Sequence, residues 1–283
     1  MKVRGPLSTR ELIEAALAED VGNGDRTTRW TVPAGARAEA RIIAKASGVV
    51  AGLDAAREVL LTVDPSIEVT AVLNDGDRVA PGDLVMRLAG PAASLLSAER
   101  VALNFLQRLS GVATLTRSYV DRVAGTGARI LDTRKTTPGM RMLEKEAVRA
   151  GGGSNHRIGL FDMVLIKENH VAAAGGITAA VDSVRKHNAE GLRVEVETRD
   201  LAEVEEALRA GVDVILLDNM SLDGLRQAVA LVSASGAATQ TEASGGVNLE
   251  TVRAIAETGV DLISVGALTH SAPALDLSLL FGG

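Results

Sequence analysis

The chain has 283 residues and a formal net charge of -6, and 46% of its residues are hydrophobic but only 2% aromatic. This length holds one large α/β domain or two modest ones, with a core built from Ala, Val, Leu and Ile. The absence of cysteine excludes disulfides, thiolate catalysis and thiolate metal sites. An acidic balance, with a sequence pI of about 5.4, argues against a nucleic-acid binder. No apolar run reaches membrane-spanning length, so we expect a cytoplasmic protein without a membrane partner.

The first third of the chain combines strand periodicity with helical patterns. Ser8 and Glu11 stand at the positions of a capping box, which predicts the start of an amphipathic helix. Apolar and polar residues then alternate in several short stretches, which indicates strands with one solvated face. The predicted helices cover 8–18 and 53–63, and the predicted strands lie within 36–50, 67–73 and 78–88. This pattern is typical of an antiparallel sheet with helices, an α+β unit.

A long helical pattern over 95–123, interrupted at Gly111, is predicted to connect this unit to a second region. From residue 128 onward, apolar strands alternate with helices, which indicates a parallel sheet. The predicted strands are Ile130–Leu131, Met163–Ile166, Val194–Val196, Val214–Leu217, Thr239–Ala243 and Leu262–Val265. The predicted helices are 140–150, 178–187, 201–210, 222–234 and 249–257. Six such units are too few for a barrel of about 200 to 250 residues, so we expect a short, incomplete α/β barrel.

Charged residues or glycines follow every predicted strand of the second region. They are Asp132 with Arg134 and Lys135, then Lys167, Glu197, Asp218 with Asn219, Glu242 with Ser244-Gly245-Gly246, and Gly266. A solvated charged face explains Arg141, Lys145 and Arg149, which are spaced by four along a helix. It explains Arg134 and Lys167 less well, because each ends an apolar run that should be buried. Since α/β barrels carry their chemistry at the carboxyl ends of strands, these cations favour a functional site.

Two features of this set indicate a phosphorylated ligand. The glycines after the last two strands leave main-chain N–H groups available to an anion, although ordinary turns are the alternative for each. Glu197 and Asp218 end buried strands and need partners, which salt bridges to Arg134 or Lys135 or a Mg²⁺ ion would supply. A zinc site is not expected, because the four histidines are dispersed. The residues alone therefore indicate a Mg²⁺-assisted enzyme for a sugar phosphate and a second anion.

With these residues in place, the chain resembles the quinolinate phosphoribosyltransferase family over nearly its whole length. The shared motifs include 99–111, 132–139, 151–157, 166–170, 195–198, 217–219 and 242–246. The resemblance implies a type II phosphoribosyltransferase-like fold, with an N-terminal α/β sandwich over 1–112, completed by 270–283, and an α/β barrel over 113–269. It implies transfer of the phosphoribosyl group of phosphoribosyl pyrophosphate to quinolinate, giving nicotinate mononucleotide, pyrophosphate and CO₂. Mg²⁺ is expected, and no organic cofactor.

The resemblance also implies a role for each site residue. Arg134, His156, Arg157 and Lys167 would surround the quinolinate carboxylates, with Arg100 supplied by the neighbouring subunit of a homodimer. Lys135, Glu197 and Asp218 would be catalytic, and the two carboxylates would hold Mg²⁺ with phosphoribosyl pyrophosphate. The 5′-phosphate would be bound by Ser244, Gly245, Gly246, Gly266 and His270. Further assembly of the dimers stays open.

Three other functions compete with this interpretation. The first is a related phosphoribosyltransferase that acts on nicotinate, or the similar protein associated with molybdate transport. The second is a Schiff-base aldolase that uses Lys167, and the third is an inactive sugar-phosphate-binding protein. The full set of cations favours a dicarboxylate over a monocarboxylate, and the presence of Glu197, Asp218 and Lys135 counts against an inactive protein.

Overall fold

The computed structural model describes residues 7–282, and the chain divides into two compact units. The first unit contains the chain up to Arg117, the segment Thr136–Gly152 and the chain from Leu268 onward. The second contains Ser118–Lys135 and Gly153–Ala267. This division differs from the predicted one chiefly over Thr136–Gly152, a helical segment that belongs to the first unit. Residues 1–6 and 283 of the predicted N-terminal domain lie outside the described residues.

The elements follow one another in chain order. The first are α1 (Thr9–Val21), α2 (Arg26–Thr31), β1 (Arg37–Ala44), β2 (Gly48–Val49), α3 (Leu53–Val63), β3 (Glu68–Ala71), β4 (Arg78–Val79), β5 (Leu84–Pro91) and α4 (Ala92–Val123). Next come β6 (Arg129–Leu131), α5 (Arg141–Ala150), β7 (Val164–Ile166), α6 (Glu168–Ala174), α7 (Ile177–His187), β8 (Val194–Thr198), α8 (Leu201–Ala210) and β9 (Val214–Asp218). The last are α9 (Leu222–Ser235), β10 (Gln240–Ser244), α10 (Val252–Ala256), β11 (Leu262–Ser264), α11 (Ala267–His270) and β12 (Leu277–Phe281).

The first unit is built on an antiparallel sheet of order β12-β1-β5-β3, with a small β2-β4 pair. Ile42 of β1 lies opposite Met86 of β5 and Leu279 of β12, and all three side chains are buried. The predicted capping box at the start of α1 is present, because the Glu11 N–H donates to Ser8 Oγ and the Ser8 N–H donates to Glu11 Oε2.

The second unit is a parallel sheet of order β6-β11-β10-β9-β8-β7. All six strands were predicted, and helices follow β7, β8, β9, β10 and β11. Across residues 7–282, no strand pairing joins β6 to β7, so the sheet stays open. The predicted fold, an α+β unit followed by a short, incomplete α/β barrel, is therefore confirmed. Because the strands are parallel, their carboxyl ends meet at one edge.

Two local predictions need correction. Gly111 does not interrupt α4, which is continuous from Ala92 to Val123. A Cβ at Gly111 would overlap the carbonyl oxygen of Pro273, so the glycine allows a close approach of two backbone segments within the first unit. The short helices α2, α6 and α11 were not predicted. Of these, α6 begins directly after Lys167, whose N–H donates to Nδ1 of His170 at 2.9 Å.

The charged face of α5 is only partly solvated. Arg149 is exposed, but Glu144 is 0% and Lys145 2% exposed, so the predicted solvated face is wrong for that part of the helix. Glu144 accepts hydrogen bonds from Arg108 Nη2 at 2.9 Å, from the Thr137 N–H at 3.0 Å and from Thr137 Oγ1 at 2.7 Å. Spacing by four along a helix defines which residues share a face, but not what packs against that face.

Within residues 7–282, none of the helices combines the length and apolar character needed to cross a bilayer.

Candidate active site

A cavity of about 410 Å³ lies at the carboxyl ends of the strands of the second unit. It is lined by Thr133, Arg134, Lys135, His156, Arg157, Leu165, Lys167, Glu197, Leu216, Asp218, Glu242, Ser244 and Ser264. Eight of these are residues that the sequence predicted for the site. They come from the loops after β6 and β7, from the segment between α5 and β7, and from the ends of β8, β9 and β10. The fold of the second unit thus brings together positions far apart in the chain.

The other five predicted residues do not line this cavity. Gly245, Gly246 and Gly266 belong to the same unit and lie in the loops after β10 and β11. Arg100 is exposed on α4, and His270 is exposed at the end of α11, where its Nδ1 lies 2.6 Å from Ser271 Oγ. Both of these residues belong to the first unit.

The loop after β10 depends on its glycines. Gly245 and Gly246 have φ values of 93° and 61°, in the left-handed region that favours glycine. A Cβ at Gly245 would overlap the side-chain amide of Asn219, which itself has a φ of 54°. The Asn219 N–H donates to the Ser244 carbonyl oxygen at 2.9 Å. The two loops are therefore packed against each other with main chain close to the strand ends.

Two partly exposed carboxylates stand on neighbouring strands at the cavity wall. Glu197 Oε2 lies 2.6 Å from Lys167 Nζ, and Asp218 Oδ2 accepts from Asn219 Nδ2 at 2.9 Å. The Glu197 side chain is 17% exposed and that of Lys167 47%. Oxygen donors with solvent access suit Mg²⁺, which retains several of its waters when bound to protein. Glu197 and Asp218 thus fit the predicted ion.

A second group of ionisable side chains lies deeper in the second unit. His156 Nε2 is 3.0 Å from Glu195 Oε2 and 3.7 Å from Glu242 Oε2. Glu195 is 0% and Glu242 1% exposed, and Oε1 of each has no hydrogen-bond partner in the described part of the chain. We call His156, Glu195 and Glu242 the buried triad. Carboxylate oxygens without partners in a protein interior are costly, and such sites are usually functional.

Burial and neighbouring charges shift the pKa values of two residues that line the cavity, Glu242 and Arg157. Burial, reinforced by the charge of Glu195, raises the pKa of Glu242 to about 7. Burial is also the main cause that lowers the pKa of Arg157, and the neighbouring Arg134 lowers it further, whereas Glu195 and Asp162 act in the opposite direction. The carboxylates under the cavity therefore offset the repulsion between two guanidinium groups.

The buried triad is close enough to hold a metal, since its ligand atoms lie within 4.8 Å of one another. However, the Arg157 N–H donates to His156 Nδ1 at 2.7 Å, so that nitrogen carries a lone pair. A metal on Nε2 needs the ring proton on Nδ1, where this hydrogen bond leaves no room for it. The triad therefore does not fit a divalent cation, and Glu197 with Asp218 remains the pair that does.

The segment that carries His156 is fixed to the end of β6. Asp132, which is fully buried, accepts hydrogen bonds from the His156 N–H at 2.8 Å and from Asn155 Nδ2 at 2.6 Å. The Ser154 N–H donates to the Ile130 carbonyl oxygen at 2.8 Å. Arg157, 8% exposed, donates from Nη1 to the Met163 carbonyl oxygen at 3.3 Å. The segment 154–157, and with it Arg157, is thus held by contacts to the end of β6 and to the residue before β7.

Glu195 was missed as a site residue because it lies inside an apolar strand. A signal was nevertheless present. Glu195 and Glu197 are two residues apart in β8, and side chains two apart in a strand point to the same side of the sheet. Once Glu197 is assigned to the site, the same periodicity predicts that the Glu195 side chain points to the same side of the sheet, further from the carboxyl end of β8.

Comparison with known proteins gives a consistent result. Residues 25–110 match the model of the N-terminal domain of quinolinate phosphoribosyl transferase, and residues 112–280 match that of its C-terminal domain. Quinolinate phosphoribosyltransferase (decarboxylating) 1b from Nicotiana tabacum is 47% identical over 95% of this chain and 81% of its own length. The mitochondrial form 2 from Nicotiana glauca is 46% identical with the same coverage. The nicotinate-nucleotide pyrophosphorylase structure from Francisella tularensis aligns with a TM-score of 0.92 and 41% identity, covering 97% of this chain and 96% of that one.

Proposed function

The chain belongs to the quinolinate phosphoribosyltransferase family, and we propose that the strand-end cavity of its second unit is where the family reaction occurs. The chain transfers the phosphoribosyl group of phosphoribosyl pyrophosphate to quinolinate and releases pyrophosphate and CO₂, leaving nicotinate mononucleotide. One observation carries the assignment of the site. Eight residues predicted for the two anionic substrates line one cavity of about 410 Å³.

The quinolinate end of the cavity is defined by Arg134, Arg157 and Lys167. Two carboxylates on adjacent ring carbons need several cations, and planar guanidinium groups bind carboxylates through paired N–H donors. Arg157 is largely withdrawn from water, so a hydrogen bond from it to a substrate carboxylate meets little competition from solvent. Lys167, whose Nζ is paired with Glu197, contributes a charge at the cavity wall.

The phosphoribosyl pyrophosphate end is defined by Lys135, Glu197 and Asp218. Departure of pyrophosphate leaves positive charge on the ribose C1 carbon, which the two carboxylates stabilise, while Lys135 stabilises the leaving group. Mg²⁺ held by Glu197 and Asp218 would supply charge neutralisation to the pyrophosphate oxygens. Ser244, Gly245, Gly246, Gly266 and His270 remain the proposed 5′-phosphate site, supported by the left-handed glycines after β10.

The chemical steps need no protein nucleophile. The pyridine nitrogen forms a bond to C1 as the C1–O bond to pyrophosphate breaks. The carboxylate next to the new pyridinium then leaves as CO₂. The electron pair of the broken C–C bond stays on that ring carbon, stabilised by the adjacent positive nitrogen, until a proton binds there. The protein contributes the alignment of two anions that would otherwise repel each other, and cations that offset their charge.

Arg100 and the homodimer belong to the same proposal. Arg100 is exposed on α4, which is compatible with supply to a neighbouring subunit. We expect Arg100→Ala and Lys135→Ala each to be nearly inactive alone. After subunit exchange between the two variants, half of the dimers are mixed, and one of the two sites in each mixed dimer carries neither change. The mixture should therefore regain about a quarter of wild-type activity per total protein. Activity that stays at the background of the two variants would contradict a shared site.

The reaction is tested by product formation from quinolinate, phosphoribosyl pyrophosphate and Mg²⁺, with nicotinate as the parallel substrate. Formation of nicotinate mononucleotide and CO₂ from quinolinate alone is expected. Turnover of nicotinate with equal efficiency would overturn the assignment of the arginines to two carboxylates. The cytoplasmic location predicted from the sequence stays a prediction.

A further inference from the structure

Both ring nitrogens of His156 have partners inside the second unit. The Arg157 N–H donates to Nδ1 at 2.7 Å, and Nε2 lies 3.0 Å from Glu195 Oε2. A main-chain N–H can only donate, so Nδ1 is unprotonated and the ring proton resides on Nε2. His156 is therefore a neutral imidazole that donates to Glu195, and not an imidazolium that offers a charged N–H to substrate.

We propose that Glu195 is a positioning residue of the quinolinate site, which acts on Arg157 through the neutral ring of His156. This rests on the proposed function of the cavity. Glu195 fixes the orientation of the imidazole, and the imidazole fixes the Arg157 N–H through Nδ1. The preceding peptide N–H, that of His156 itself, is held by Asp132 at 2.8 Å. The main-chain N–H groups of His156 and Arg157 are thus both held by hydrogen bonds, so the Arg157 side chain projects from a fixed backbone segment.

The charge of Glu195 has a second effect. Arg157 and Arg134 repel each other, and Glu195 is the first of two carboxylates that counter this repulsion at Arg157. Glu242 Oε2 lies 3.7 Å from His156 Nε2 and completes the acceptor side of the buried triad. Because Glu195 is withdrawn from water, its interaction with nearby cations is weakly screened. A buried acceptor thus allows two guanidinium groups to face one substrate.

The tautomer of His156 can be measured directly in the wild-type chain. With ¹⁵N-labelled histidine, long-range ¹H–¹⁵N correlation spectra at pH 7 distinguish the neutral Nε2–H form, the neutral Nδ1–H form and the imidazolium. The His156 signals are assigned by their absence in His156→Gln, or by elimination with Gln variants of His170, His187 and His270. We expect the Nε2–H form. An imidazolium or the Nδ1–H form would overturn the proposal, and this result does not depend on turnover.

Kinetics of Glu195→Gln test the positioning role. Glutamine keeps the shape and can still accept from Nε2, but it removes the negative charge. We expect the quinolinate KM to rise roughly tenfold, the difference between a charge-assisted and a neutral hydrogen bond. The phosphoribosyl pyrophosphate KM should stay within about twofold of wild type, as for sites that do not share partners. Glu205→Gln, an exposed residue on α8, is the matched control.

The outcomes separate the two proposals. An unchanged quinolinate KM in folded Glu195→Gln, or equal increases in both KM values, would overturn the positioning role. A wild-type chain that shows the Nε2–H tautomer but does not turn over quinolinate would instead overturn the proposed function. Thermal unfolding of each variant establishes that the compared samples are folded.

Discussion

The two units each bury a charged network, and the networks differ in how well they are satisfied. In the first unit Glu144 accepts three hydrogen bonds, from Arg108 and from two groups of Thr137. In the second unit Glu195 Oε2 lies 3.0 Å and Glu242 Oε2 3.7 Å from His156 Nε2, and Oε1 of each carboxylate has no hydrogen-bond partner in the described part of the chain. We interpret Glu144, whose carboxylate is fully hydrogen-bonded, as stabilising the first unit. We interpret Glu195 and Glu242, whose carboxylates are not, as contributing to the cavity that they adjoin.

The largest expected effect concerns the satisfied network. Glu144→Ala removes the acceptor of both Thr137 donors and the ion-pair partner of Arg108, which keeps only the carbonyl oxygens of Thr269 and Ala272. It should lower the free energy of unfolding by about 3–5 kcal/mol, as when one partner of a buried pair is removed. Urea unfolding measures this loss. The control is Glu146→Ala on the exposed side of α5, which should change stability by less than about 0.5 kcal/mol. Equal losses in the two variants would contradict the difference between these positions.

Substitution of Glu242 in the buried triad should raise the free energy of unfolding, whereas substitution of Glu144 lowers it, and the size of the gain depends on pH. The pKa of Glu242 rises from an ordinary 4.5 to about 7 on folding, so the folded chain binds more protons than the unfolded chain between these values. This contribution to stability is complete below about pH 4.5 and is lost as pH rises through about 7. Its full size is at most about 3.5 kcal/mol, because one pKa unit corresponds to about 1.4 kcal/mol.

Glu242→Gln replaces the carboxyl with a group that stays neutral. We expect this variant to gain stability relative to wild type between pH 5 and pH 8, as followed by urea unfolding at each pH. Glu205→Gln, which is exposed, should show no such trend. A stability difference between Glu242→Gln and wild type that is independent of pH would show that Glu242 is ionised in the folded chain throughout this range.

A substitution in the cavity itself should change activity with little change in stability. Arg134→Lys keeps the charge but loses the planar fork, and we expect quinolinate kcat/KM to fall about ten- to a hundredfold, corresponding to one charge-assisted hydrogen bond. Near-normal kcat/KM would remove Arg134 from the quinolinate site. Arg226→Lys, at an exposed position on α9, is the control and should leave kcat/KM unchanged.

The smallest effect tests the first network in detail. Thr137→Val removes one donor to Glu144 but keeps the shape of the side chain and its N–H donor, so we expect a loss of about 1 kcal/mol in unfolding free energy. The same substitution in the Glu144→Ala background should cost much less, because its acceptor is already gone. Additive losses in the double variant would place the effect of Thr137 outside this network.

Local patterns in the sequence were sufficient to predict every described strand except β12, and most helices. The six parallel strands, α3 and α8 follow from apolar periodicity, and the capping box of α1 follows from Ser8 and Glu11. Six of the eight predicted residues that line the cavity were found because parallel strands place their carboxyl ends at one edge. These features depend on spacing along the chain, which the sequence states directly. His156 and Arg157 were assigned to the site by the family resemblance, since they lie between α5 and β7 and follow no strand.

Burial is what the sequence did not determine. Glu144 and Lys145 occur in a charged helix that has the spacing of a solvated surface, yet the packing of the first unit encloses them. Glu195 lies between two valines of β8, and only the tertiary structure brings His156, from another element, within hydrogen-bonding reach of it, with Glu242 on the same side of the imidazole. The sequence by itself determined which residues end each strand. The tertiary structure decided which charges lose their water and which partners replace it, because desolvation and hydrogen bonding depend on contacts between residues distant in the chain.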